Sequence, residues 1–142
     1  MNHKNHTLTI TSEYAIKKAI ELDLGGIAYL PKVEGENELF RKLGNILTFP
    51  DYFGENWNAL FDCLRDFSWI SKKGITLVHE EIPVLSEEQL RMYFDVLFSA
   101  VNDWKETDEH YFNIIFSERD KPKIMKLIDD TECLIQFRIL MG

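Results

Sequence analysis

A chain of 142 residues that is 45% hydrophobic is long enough for one core and short for two, so a single domain over residues 1–142 is expected. Twenty-four acidic against sixteen basic residues give a formal charge of −8, which disfavours nucleic acid and anionic lipid and favours a cationic partner. Apolar runs such as Tyr111 to Phe116 are far too short to cross a bilayer, and the polar start Met1 to Thr7 lacks a signal peptide's apolar region, so a cytoplasmic location is expected.

Cys63 and Cys133 are too far apart for a CxxC motif and too few for a disulfide framework or a zinc site, and both read as reduced thiols. No metal or cofactor is expected.

In chain order, TLTITS at 7–12 alternates like a short strand, and Ser12 is placed to cap a helix carrying Tyr14, Ile16, Ala19 and Ile20, which Gly25 and Gly26 end. Ile27 to Leu30, closed by Pro31, reads as a buried strand. Glu38 to Leu47 reads as a helix burying Leu39, Phe40, Leu43 and Leu47. After the segment 49–66, taken up below, ITLVH at 75–79 is a second buried strand. Ser86 with Gln89 forms a capping box, Glu87 and Glu88 suit the positive end of a helix dipole, and Leu90, Phe94, Leu97, Val101 and Trp104 share a face. YFNIIF at 111–116 is a third such strand, Lys121 to Ile128 a short helix and Cys133 to Leu140 a final strand. Strands separated by helical segments predict an α/β domain with a largely parallel sheet, the connections being too long for hairpins.

The segment FPDYFGENWNALFDCLRD at 49–66 carries the most information. Pro50 fixes one backbone angle and Gly54 permits a positive one, which predicts a tight turn, and Asn56 stands where a helix N-cap belongs. Trp57, Leu60, Phe61 and Leu64 follow the spacing of a buried helical face. Asn58, Asp62 and Arg65 then fall on one polar arc, with Phe61 at its border and Tyr52 in the turn beside it. The charges from Asp51 to Asp66 sum to −3. Taken alone, such a helix is an ordinary amphipathic surface element.

The segment also resembles the signature of the barstar family, intracellular protein inhibitors of barnase-type ribonucleases. That signature is a Pro-acid-Tyr-aromatic-Gly-Glu-Asn turn followed by an Asn-x-x-Ala-Leu-aromatic-Asp-Cys-Leu helix. The match runs through Pro50, Asp51, Tyr52, Phe53, Gly54, Glu55, Asn56, Ala59, Leu60, Phe61, Asp62, Cys63 and Leu64, thirteen of fifteen positions. It covers residues 27–117 as a domain, with 1–26 and 118–142 as additions, and implies a small, mostly parallel sheet flanked by helices. It also implies that turn and helix plug a ribonuclease active site, Asp62 standing where a substrate phosphate would lie and Tyr52 and Phe61 making aromatic contacts. Gly54 would let the partner's backbone approach, and the implied partner-binding set is Tyr52, Phe53, Gly54, Asn56, Asn58, Phe61 and Asp62. The departure is Asn58, where the family's best-known inhibitor has a second interface Asp. Trp57 is bulkier than the usual aliphatic, and Asp103 is one of several candidates for a further family acid on the long helix.

Other groups read as chemically idle. His3 and His6 lack metal-ligand spacing, Cys63 with His79 or His110 is better explained as a packing thiol, and the adjacent acids Glu80-Glu81 and Asp129-Asp130 splay apart. No phosphate loop, HExxH or GxSxG occurs. The expectation is therefore a non-enzymatic inhibitor, monomeric until it meets a basic ribonuclease or related toxin, with no contact to nucleic acid or membrane. The alternative is an immunity or regulatory interaction domain of the same fold whose target is not a ribonuclease.

Overall fold

The computed structural model describes residues 6–21, 26–51, 53–70, 74–103, 111–130 and 137–139, to which the structural statements apply. His3, Tyr52, Trp104, His110 and Cys133 lie outside the described residues.

Five strands, β1 (His6–Thr11), β2 (Ile27–Leu30), β3 (Gly74–His79), β4 (Tyr111–Ser117) and β5 (Phe137–Ile139), form one sheet in the order β2-β3-β4-β1-β5. Every pairing is parallel. The helices are α1 (Glu13–Glu21), α2 (Glu36–Ile46), α3 (Trp57–Leu64), α4 (Glu87–Asp103) and α5 (Lys121–Asp130). The chain is thus the α/β protein that its alternating patterns predict.

Strand order decides where the helices go. The steps β2 to β3, β3 to β4 and β4 to β5 all move one way across the sheet, whereas β1 to β2 moves back. Right-handed crossovers then place α2 to α5 on one face and α1 on the other. The core lies on the four-helix face: Leu8, Ile10, Leu30, Leu77, Phe112, Ile114 and Phe116 are all buried there, in one cluster with Leu39, Leu43, Leu60, Leu64, Phe94 and Leu97. On the other face Tyr29 and Ser117 meet Tyr14 and Ile16 of α1 across an open cleft.

Local signals set most boundaries. Ser12 Oγ accepts the Ala15 N–H at 3.1 Å, and the box at α4 closes in both directions, Gln89 N–H to Ser86 Oγ at 3.1 Å and Ser86 N–H to Gln89 Oε1 at 3.2 Å. Helix α2 begins at Glu36, two residues earlier than its pattern predicts, because Gly35 at φ 91° turns the chain into the helix without a side-chain cap. Helix α5 runs two residues past Ile128, and Pro122 sits in its first turn, where no intrahelical N–H is needed. Of the predicted Cys133–Leu140 strand, Phe137–Ile139 form β5, and the other positions lie outside the described residues. Gly26 has φ 95° and backs onto β3 so closely that a Cβ would collide with the Gly74 carbonyl oxygen.

His79 ties β3, β4 and α4 together. It is fully buried, its ring stacks on Phe116 with centroids 4.0 Å apart, Nδ1 lies 3.2 Å from the Ile115 carbonyl oxygen and Nε2 2.6 Å from the Tyr93 hydroxyl. A carbonyl only accepts, so Nδ1 carries the proton and Nε2 accepts from Tyr93: the neutral ring is satisfied. Burial holds its pKa down to about 3 and pushes the Tyr93 phenol up. The folded state therefore binds fewer protons than the unfolded chain between the ordinary value of 6.5 and 3. The stability that the neutral His79 contributes is complete above pH 6.5 and is lost as pH falls toward 3, by up to about 1.4 kcal/mol per pH unit. Urea unfolding from pH 7 to 4.5 should show this loss. A His79→Phe variant, less stable at pH 7 because the Tyr93 hydroxyl loses its partner, should show a shallower slope.

Candidate partner-binding face

The turn before α3 is closed by the Phe53 N–H donating to the Pro50 carbonyl at 3.0 Å. Among its described residues the left-handed one is Glu55, at φ 52°, and not Gly54, the residue best able to adopt a positive φ. The absent side chain at Gly54 matters sterically instead, since a Cβ there would lie 3.1 Å from Asn56 Nδ2. Asn56, in extended conformation, caps the helix: Oδ1 accepts the Ala59 N–H at 2.8 Å while Nδ2 donates to the Gly54 carbonyl at 3.3 Å. Phe53 turns toward the core and is half-buried, 4.7 Å from Phe49 and 6.4 Å from Phe40 between ring centroids. The turn is thus held by its own hydrogen bonds and by aromatic packing.

Helix α3 sinks Leu60, Cys63 and Leu64 into the core. Asn58, Asp62 and Arg65 point outward, and Phe61 is half-buried between the two faces, as its position on the arc predicts. Burial, reinforced by the charges of Asp62 and Asp66, pushes the Cys63 thiol up to about 11. Burial thus keeps the thiol protonated at neutral pH, and both ring nitrogens of His79 bond elsewhere, to the Ile115 carbonyl and the Tyr93 hydroxyl. Trp57 is only half-buried: its indole N–H donates to Glu36 Oε2 at 3.1 Å and its ring lies against Phe40 and Tyr93.

Helix α4 packs beside α3 and leaves a groove of about 210 Å³ between Trp57, Asn58 and Phe61 on one side and Met92, Asp95, Val96 and Ser99 on the other. Asp95 therefore faces the same groove as Asn58. Asp103, near the end of α4, approaches α3 through Arg65, whose Nη1 lies 3.6 Å from its Oδ2. The same guanidinium bonds Asp62 Oδ1 at 2.8 Å through Nη2 and rests 4.0 Å from the centre of the Phe61 ring. Sequence reasoning put Arg65 on the polar arc but missed its reach to Asp103 and missed Asp95, because both depend on how α4 lies against α3. Tyr52 lies outside the described residues.

A larger cleft, about 460 Å³, opens at the carboxyl ends of β3 and β4 under α1. Its lining mixes Glu13, Glu80, Lys17 and Arg119, and Glu13 pairs with Arg119 at 3.3 Å, so no one charge dominates. Among the described residues no cluster of three or more His, Cys, Asp or Glu could hold a metal, and no helix is long and apolar enough to cross a membrane.

A family model described as Barstar (barnase inhibitor) matches residues 27–117, from the start of β2 to the end of β4. The chain belongs to the barstar family. No curated protein matches it. The barstar match contains the whole of the turn, α3, the groove and α4, whereas β1, α1, α5 and β5 fall outside it.

The Asn56 cap should carry a measurable share of the stability of this barstar segment. Asn56→Ala is expected to cost about 1 kcal/mol in chemical denaturation, with Asn56→Asp recovering most of it.

Proposed function

We propose that the chain is an intracellular protein inhibitor that occupies the active site of a barnase-like ribonuclease with the turn and exposed face of α3. The observation that carries this reading is Asp62, a carboxylate whose side chain is 67% exposed on a capped helix, between the half-buried Phe61 ring and the amide of Asn58. An RNA-cleaving site is cationic because it must bind phosphate and stabilise its developing charge. A preorganised carboxylate gains charge-assisted hydrogen bonds there, so Asp62 acts as the phosphate mimic. Phe61 and Tyr52 supply aromatic contact, Asn58 a hydrogen-bonding amide, and Gly54 a point of close backbone approach. Phe53 and Asn56 hold the turn in shape, one by packing and the other by capping. The net charge of −8 steers a basic enzyme toward the face, and that steering weakens with salt.

In this reading the chain is one cytoplasmic domain, monomeric before complex formation, and residues 1–26 and 118–142 are additions to the family core. It catalyses nothing and binds neither nucleic acid nor membrane. A fitting setting is self-protection, in which a cell that makes a toxic nuclease keeps the inhibitor inside. Asn58 supports a second reading: a face with one carboxylate fewer than the family's best-known inhibitor suits a toxin whose site is not that of a ribonuclease.

Titration against a barnase-type ribonuclease at low and moderate salt tests the proposal. Wild type should bind tightly and less so with salt, and Asp62→Ala should lose at least about 2 kcal/mol, roughly thirtyfold in Kd. That figure is the general threshold for an interface hot spot, a class in which the barnase–barstar pair is itself a standard example. A smaller loss would remove Asp62 from the centre of the interface, and no binding by wild type would favour the other class of toxin.

A further inference from the structure

We propose that Arg65 is a gate on this face: its guanidinium holds the place that a partner's cationic side chain would take, and the partner binds by displacing it. The inference rests on the inhibitor reading above and adds the residue that controls admission to the site.

Three contacts converge on Arg65. One terminal nitrogen bonds Asp62 Oδ1 at 2.8 Å, the other lies 3.6 Å from Asp103 Oδ2, and the carbon between them sits 4.0 Å from the Phe61 ring centre. Two carboxylates and an aromatic ring at this end of the face would each suit an incoming cation, and Arg65 already contacts all three. While it does so the three charged groups sum to −1. Once it swings away, the two carboxylates present −2.

The gate is built to open. Arg65 stands at the C-cap of α3, past the last helical residue, so its side chain swings without disturbing helical hydrogen bonds. Its side chain is 35% exposed, and those of Asp62 and Asp103 are 67% and 54% exposed, so water solvates all three groups when they separate. Exposed pairs of this kind change an equilibrium by no more than about fivefold. Arg65 holds Asp62 through a single hydrogen bond, so a partner guanidinium that takes both carboxylate oxygens in a two-bond fork displaces it, whereas an ammonium, a point charge without that fork, gains less by doing so. The consequence is selectivity: Arg65 lowers the general attraction of the face for cations and admits partners that present arginine.

Stopped-flow association and equilibrium binding to a barnase-type ribonuclease would be measured for wild type, Arg65→Gln and Arg65→Lys at low and moderate salt, with thermal unfolding of each variant as the folding control. Arg65→Gln keeps the length and loses the charge. It should associate several-fold faster at low salt and bind up to about fivefold tighter, with the gain shrinking as salt rises. Arg65→Lys should fall between the two. A separate readout needs no partner: the Arg65 side-chain protons should be shifted upfield by the Phe61 ring in nuclear magnetic resonance spectra, and the shift should diminish in Asp62→Asn. Wild type that binds while Arg65→Gln binds equally or more weakly would overturn the gate and leave the inhibitor reading intact. Binding by Arg65→Gln alone would support both. Failure of every form to bind would overturn the ribonuclease reading and the gate with it.

Discussion

Everything on the candidate face depends on one burial. Leu60, Cys63 and Leu64 are sunk into the core and exposed by no more than 1%. Fully burying a leucine is worth about 1.5–3 kcal/mol, so turning α3 by a single residue would cost more than any surface contact it makes. The helix therefore has one rotational setting, which sends Asn58, Asp62 and Arg65 outward. The Asn56 cap and the Pro50–Phe53 turn fix where it starts. Preorganisation of the polar groups is in this sense a product of apolar packing.

The electrostatics follow from that setting. Acidic residues outnumber basic ones by twenty-four to sixteen, so a carboxylate on the surface is unremarkable by itself. What distinguishes Asp62 is its surroundings: an amide one turn earlier, and a guanidinium that rests on the Phe61 ring and links it to Asp103 on a second helix. The buried ionisable groups behave oppositely. His79 and Tyr93 are kept neutral and spend their polarity on each other and on the backbone, so they act as struts between the sheet and α4. Since α4 forms one wall of the groove, the strut and the face are mechanically connected.

The elements outside the family match are wound into the same sheet. β1 lies between β4 and β5, pairing with β4 through six residues, from His6 against Phe112 to Thr11 against Ser117. Leu8 and Ile10 from β1, with Ile124 and Leu127 from α5, belong to the core cluster that also holds Leu60 and Leu64. The segments before and after the matched region thus share the packing that orients the face.

Much of this was legible in the residues alone, wherever the deciding interaction is local. Ser12, Asn56 and the Ser86/Gln89 box announce helix starts because a cap is satisfied within three or four residues of itself. The period of Leu60, Phe61 and Leu64 announces which side of α3 is buried, because a helix repeats every 3.6 residues whatever surrounds it. The thirteen positions that match the barstar signature all lie within fifteen consecutive residues, interrupted only at Trp57 and Asn58. Tertiary structure alone decided what depends on residues far apart in the chain: the strand order that inserts β1 beside β4, the placing of Asp95 opposite Asn58, and the reach of Arg65 to Asp103. The left-handed turn residue, Glu55, is by contrast local, but glycine's conformational freedom pointed to its neighbour Gly54. Local propensity is written residue by residue, but which helix lies beside which is settled only by the joint burial of all of them.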